Sequence, residues 1–232
     1  MEIDVLTLFP EILNGPLDQS ILKRARKEGL IRIRAVNIRD FATDRHKTTD
    51  DVPYGGGPGM VMKVGPVHRA VQSVLTEKSL VVLMTPGGHR FTQKWAERLA
   101  GEEKLVFICG HYEGIDERVR DIVNPLPLSI GDFVMTNGAL AACVVIDAVA
   151  RLIPGVLGNP DSIREESFCR DGVEYPQYTR PENYMGFRVP EILRSGNHRE
   201  IETWRKAQAE KRTRELADFP GGVEGDEYER DH

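Results

Sequence analysis

Five short apolar runs rich in β-branched residues recur along the first two thirds of the chain, at residues 3–9, 31–38, 80–84, 104–109 and 128–135. Between them, residues 17–28, 66–76, 92–99 and 115–123 suit helices. Strands alternating with helices predict an α/β domain with a mostly parallel sheet. Its last helix is expected over 140–152, where Leu140, Val144, Val145, Ala148 and Leu152 mark one face and Pro154-Gly155 stop it.

The character of the chain then changes. Residues 1–158 read as the α/β domain, and 159–181 as a polar connector without periodicity. Residues 182–217 read as a small helical domain, with helices over 190–193 and 199–216. Residues 218–232 form an acidic tail with too little apolar surface to fold. The net charge of -5 argues at first against a nucleic-acid partner, but its distribution does not. From Glu215 onward seven acids face Arg230 alone, so the rest of the chain is slightly basic. Nine Lys or Arg between Lys23 and Lys47 face three acids, and eight between Arg188 and Arg214 face four. Either stretch alone reads as a solvated face; two together raise the odds of an RNA partner modestly.

Export and membrane insertion are not expected. The start MEIDVLTLFP carries acids and no small-residue cleavage site, so it reads as a first strand. The longest apolar run, 138–158, is interrupted by Asp147, Arg151 and Pro154, which a bilayer centre tolerates poorly. Three cysteines, Cys109, Cys143 and Cys169, are an odd number, and the first two lie in apolar runs; a reducing, cytoplasmic setting fits.

The least ordinary local sequence is Tyr54-Gly55-Gly56-Gly57-Pro58-Gly59-Met60. No Gly-Lys-Ser/Thr follows, so it is not a phosphate-cradling nucleotidase loop; on glycine content alone it reads as a flexible turn. Three more glycine-bearing junctions each follow an expected strand: Thr85-Pro86-Gly87-Gly88, Cys109-Gly110-His111-Tyr112-Glu113-Gly114, and Ser129-Ile130-Gly131-Asp132 through Thr136-Asn137-Gly138. Parallel sheets bind ligands at the carboxyl ends of their strands, and three such turns together suggest a site read largely by backbone. No G-x-G-x-x-G, G-x-S-x-G or C-x-x-C occurs, and the six histidines are scattered, so no metal is assigned. Arg151, Glu165, Glu166, Asp171 and Glu174 cluster beside the connector, where each alone reads as solvated charge.

These residues carry a resemblance. Pro53-Tyr54-Gly55-Gly56-Gly57-Pro58-Gly59-Met60, Cys109-Gly110 with Tyr112-Glu113-Gly114-Ile115-Asp116-Glu117-Arg118, Ser129-Ile130-Gly131-Asp132, the run from Ile146 to Gly158, Tyr178-Thr179-Arg180-Pro181, and Ser195-Gly196-Asn197-His198 with Trp204-Arg205 stand in the order and spacing of one family. Over nearly its whole length the chain resembles the bacterial tRNA (guanine-N1)-methyltransferases, the TrmD family of the SPOUT superfamily. The resemblance implies a parallel sheet whose carboxyl-terminal part is threaded as a deep trefoil knot, working as a homodimer. It implies S-adenosylmethionine as methyl donor, held by Thr85, Pro86, Gly110, Glu113, Ile130, Gly131, Asp132, Phe133, Val134, Met135 and Gly138. The substrate implied is N1 of the guanine at tRNA position 37, next to the anticodon, and magnesium is implied without a ligand set to place it. Arg199, Arg205 and Lys206 are expected to contact tRNA phosphates.

Three positions depart from the family pattern. His111 stands where an arginine is often found, Asn137-Gly138-Ala139 replaces a Gly-Gly-Glu run, and Glu166 replaces the catalytic aspartate. With Arg151 beside it, Glu166 is expected to act as general base on guanine N1. The competing readings are another knotted RNA methyltransferase, acting on a ribose hydroxyl or a different base, and a noncatalytic RNA-binding protein of the same fold.

Overall fold

The inner strands of the central sheet bury both faces, which is why they read as continuous apolar runs. In the computed structural model, which describes residues 1–157, 167–168 and 172–218, the chain divides into two compact units, Met1–Gly158 and Asn159–His232. The first unit is built on β1 (Glu2–Thr7), β2 (Arg32–Asn37), β5 (Ser79–Arg90), β6 (Lys104–Cys109) and β7 (Leu126–Ser129). These form one parallel sheet in the order β2-β1-β6-β5-β7. A two-stranded ribbon, β3 (Asp50–Asp51) with β4 (Val61–Met62), flanks it.

Side-chain alternation divides the sheet between two cores. Ile3, Val5, Val82, Met84, Leu105, Phe107 and Cys109 face one way, against α5 (Gly138–Ala150), α1 (Ser20–Lys27) and α3 (Gln93–Ala100). Leu6, Val81, Leu83, Val106 and Ile108 face the other, against α2 (Val64–Val74) and Val119 of α4 (Arg118–Val123). Each fully buried Leu, Ile or Phe stabilises by about 1.5–3 kcal/mol. One carboxylate is buried among them: Asp4, 4% exposed, accepts from Arg34 Nε and an Nη at 2.7 and 3.0 Å. Lys104 Nζ lies 3.2 Å away and also donates to the Val74 carbonyl at 2.6 Å. Because Asp4 and Arg34 are register partners on β1 and β2, this pairing fixes how the strands align.

Two elements differ from expectation in ways that matter for function. The strand expected over 128–135 ends at Ser129. The Ser129 hydroxyl, 6% of that residue being exposed, donates to the Gly131 carbonyl and accepts from its amide, and this turns the chain out of the sheet. In the second unit, where only helices were expected, β8 (Asn183–Tyr184) and β9 (Phe187–Arg188) make a hairpin. The helix expected over 190–193 is a 3-10 turn, Glu191–Arg194, followed by α6 (His198–Ala217). α6 has no fully buried residue; the chain before it is tied on by Val173 N–H to Thr213 Oγ1 at 3.0 Å and by Tyr178 against Trp204. No described helix is long and apolar enough to cross a membrane.

Candidate functional site

The irregular stretch 85–88 within β5, where its pairing with β7 shifts register, and the loops 110–117 and 130–137 that follow β6 and β7 together surround a cavity of about 470 Å3. Glycines let them meet. The Gly138 amide donates to the Gly110 carbonyl at 2.9 Å, and a Cβ on Gly138 would stand only 3.0 Å from Cys109 Cα. A Cβ on Gly88 would run into the backbone of Pro127 and Leu128, so β5 approaches β7 closely only because residue 88 has none.

The outer side of loop 110–117 is stitched to the end of the glycine-rich stretch. Glu113 N–H donates to Met60, Met62 N–H to Gly114, and Asp116 N–H to Met62, at 3.1, 2.9 and 3.0 Å. Gly59, at φ +81°, leaves the space that the Glu113 side chain fills. The stretch is therefore a structural partner of the site as well as a turn.

Of the residues expected to hold a ligand here, Thr85, Pro86, Gly110, Glu113, Ile130, Gly131, Phe133, Val134, Met135 and Gly138 line the cavity. Asp132 is not among the lining residues; its side chain is 89% exposed and 4.0 Å from Arg90. Arg151 caps the carboxyl end of α5 and has an interaction of its own. Glu166 and Asp171 lie outside the described residues. Glu174 is described, its amide donating to Ser167 Oγ at 3.1 Å. Arg199, Arg205 and Lys206 stand on α6. The Arg205 guanidinium lies 4.6 Å above the Tyr175 ring, and its Nε is buried without a hydrogen-bond partner among the described residues, so this arginine has a packing role in the second unit.

Sequence reasoning did not single out the aromatic rim. His111 packs edge-on between Phe9 and Tyr112, with ring centroids 4.8 and 4.4 Å away. Its Nδ1 is buried without a partner among the described residues, and Tyr112 holds a left-handed φ of +57°. Nothing in the spacing of Phe9 and His111 signals their contact; only the fold brings β1's end to loop 110–117.

The cavity lining is electrostatically negative. Glu113, Asp116 and Glu117 face Arg120. Asp116 accepts two hydrogen bonds from the Arg118 guanidinium at 2.8 and 2.6 Å, which hold its carboxyl below the usual range. Glu117 lies 3.5 Å from Arg120, and Glu113 has no ion pair among the described residues. Such a lining suits a ligand of moderate size with a cationic group. A larger hollow, about 680 Å3, lies beyond Asp116 toward α2, but Lys63 and Arg118, two of its cations, are neutralised by Asp51 and Asp116. Among the described residues no three His, Cys, Asp or Glu converge as metal ligands would.

Residues 1–217 match the family described as tRNA (Guanine-1)-methyltransferase TrmD. The chain is 56% identical over 209 residues to the tRNA (guanine-N(1)-)-methyltransferase of Carboxydothermus hydrogenoformans, covering 90% of this chain and 83% of that one. It is 53% identical over 213 residues to the protein of the same name from Dictyoglomus turgidum, covering 92% and 86%. Against that of Geobacter sp. strain M21 it is 52% identical over 232 residues, covering 99% and 92%.

Proposed function

The chain belongs to the tRNA (guanine-1)-methyltransferase family, whose reaction is methyl transfer to N1 of a guanine in tRNA, and we propose that the three-loop cavity holds the donor, S-adenosylmethionine, for modification of position 37. The observation that carries this is the lining itself. Loops joined backbone to backbone enclose a volume in the ~300–1,000 Å3 range of small-ligand sites, with Glu113 left to meet positive charge. The donor supplies a methyl group on a sulfonium sulfur. The backbone of 85–86, 110 and 130–138 orients that group, and Glu113 answers its charge.

Guanine N1 carries a proton at neutral pH, so its lone pair is free to attack only once that proton leaves and charge builds on O6. In this reading the Glu166 carboxylate takes the proton and the Arg151 guanidinium, permanently charged and planar, stabilises O6. The longer Glu side chain substitutes for the family's aspartate if the backbone withdraws by about one methylene. Single-turnover methyl transfer at saturating donor and tRNA decides the assignment. Glu166→Gln is expected to lose roughly 100- to 10,000-fold with donor binding intact. A loss below about tenfold, with a large loss for Asp171→Asn or Glu174→Gln, moves the role to that neighbour.

The same reading includes a homodimer, the trefoil threading of the sheet's carboxyl-terminal part, and a cytoplasmic setting shared with the substrate. Arg199 and Lys206 serve as phosphate contacts, with Arg205 acting partly through its packing on Tyr175. Magnesium remains an implication of the family without assigned ligands, and no step above is routed through it.

A further inference from the structure

The β8–β9 hairpin exposes apolar rings in a manner that the folding of its own unit does not explain. Tyr184, Met185 and Phe187 are 66%, 82% and 83% exposed, and every residue from 181 to 188 is exposed. The turn is nonetheless well defined: Met185 and Gly186 both take left-handed φ values, +53° and +90°, the pattern of a two-residue hairpin loop. The Gly186 amide donates to Asn183 Oδ1, and the Val189 amide closes the ribbon on the Glu182 carbonyl, at 3.0 and 2.9 Å. Tyr184 and Phe187 are register partners, so their rings leave the same face of the ribbon side by side. Neither ring packs on another ring among the described residues. The charge around them is basic: Arg180 and Arg188 flank the turn, while the nearby Glu182 is neutralised by Arg194 at 2.7 Å.

We propose that Tyr184 and Phe187 form a platform on which unpaired bases of the tRNA substrate stack, with Arg188 and Arg180 beside them for the backbone phosphates. Flat π faces and apolar area recognise a base without reading its identity, and flanking arginines supply the attraction to phosphate. The charge favours RNA over a second copy of this chain, because a basic tip is drawn to phosphate whereas the chain outside its acidic tail is itself slightly basic. A preformed turn also spares the ordering cost that a flexible loop would carry. The inference rests on the assignment of tRNA as substrate.

The test uses the full chain and an unmodified tRNA transcript, with fluorescence anisotropy as readout. Tyr184→Leu and Phe187→Leu retain apolar area and lose the ring; each is expected to weaken tRNA binding by about tenfold. Tyr184→Phe should bind like the parent, and a fully base-paired RNA should be bound equally by parent and Leu variants. The salt slope should not change, because no charge is removed. Calorimetry should find S-adenosylmethionine affinity unaltered. Leu variants that bind tRNA as tightly as the parent overturn the proposal. So does a loss of binding that tracks dissociation of a dimer by sedimentation, which would make the hairpin a contact between copies. A parent protein that neither binds nor methylates tRNA would instead refute the functional assignment, whatever the variants do.

Discussion

Glu113 differs from the other acids of the cavity in having no cation to neutralise it among the described residues, and its side chain fills the space at Gly59. If it meets the donor's charge, Glu113→Gln should weaken S-adenosylmethionine binding by about tenfold to a hundredfold in calorimetry, as expected for losing a charge-assisted contact. Asp132→Asn should change it by less than about twofold, since Asp132 lies off the lining beside Arg90. Asp116 makes a different prediction. Its carboxyl is held low chiefly by the Arg118 hydrogen bond, so its contribution is present above the unfolded value of about 3.9. That contribution is lost as pH falls through the lower folded value. Because the pair is exposed and screened by solvent, the effect is small; denaturant midpoints of parent and Asp116→Asn should differ slightly near neutrality and converge in acid. The departure at 137–139 has a local reason: Asn137 Oδ1 caps α5 by accepting from the Ala139 and Leu140 amides, and Ala139 is fully buried, where a glutamate would have no room to remain solvated. Burial also pushes Cys109 far above its ordinary range and Cys143 up to about 11, consistent with thiols used as small apolar side chains.

At the level of elements, the meeting of β5 and β7 depends on one missing side chain. Gly88→Ala should cost about 1–3 kcal/mol in thermal unfolding, the range for overpacking, because the obstructing atoms are backbone. Gly87→Ala, with open space around it, should be neutral within about 0.5 kcal/mol. The central strands were legible because burial on both faces leaves an uninterrupted apolar run. The same rule misread the end of β7: Ile130, Phe133, Val134 and Met135 look like more strand, yet Val134 is 85% exposed and the group lines a cavity. Apolar composition reports that a surface is to be covered, and it cannot distinguish cover by a core from cover by a ligand or partner. The β8–β9 hairpin was illegible for another reason: its turn puts Met at a left-handed position where Asn or Asp usually signals a hairpin, and its strands are two residues each. The convergence of the three glycine-bearing stretches around a cavity was legible; the packing of His111 against Phe9 was not, since it joins residues distant in sequence.

For the whole molecule, the exposed stripe on α5 makes the dimer testable. Leu140 and Val144 are 40% and 51% exposed on a helix whose opposite face lies in the core; they lie one helical turn apart on one face, next to the exposed Asp147. Val144→Glu should yield a monomer in sedimentation velocity, with methyl transfer lost; an active monomer would refute the homodimer as the working form. The way loop 110–117 is held has a further consequence. Its two sides are fastened by Met60–Met62 and by Gly138, parts of the chain that come together only when the first unit is fully assembled. If the cavity holds the donor, the donor binds the native state alone, and its binding is linked to folding by mass action. At a hundred times its dissociation constant it should add about 2.7 kcal/mol to the unfolding free energy. The melting temperature thereby becomes a titration curve for the cofactor, readable on unlabelled protein without tRNA, and any other compound that occupies the cavity will announce itself as a rise in that temperature when the cofactor is left out.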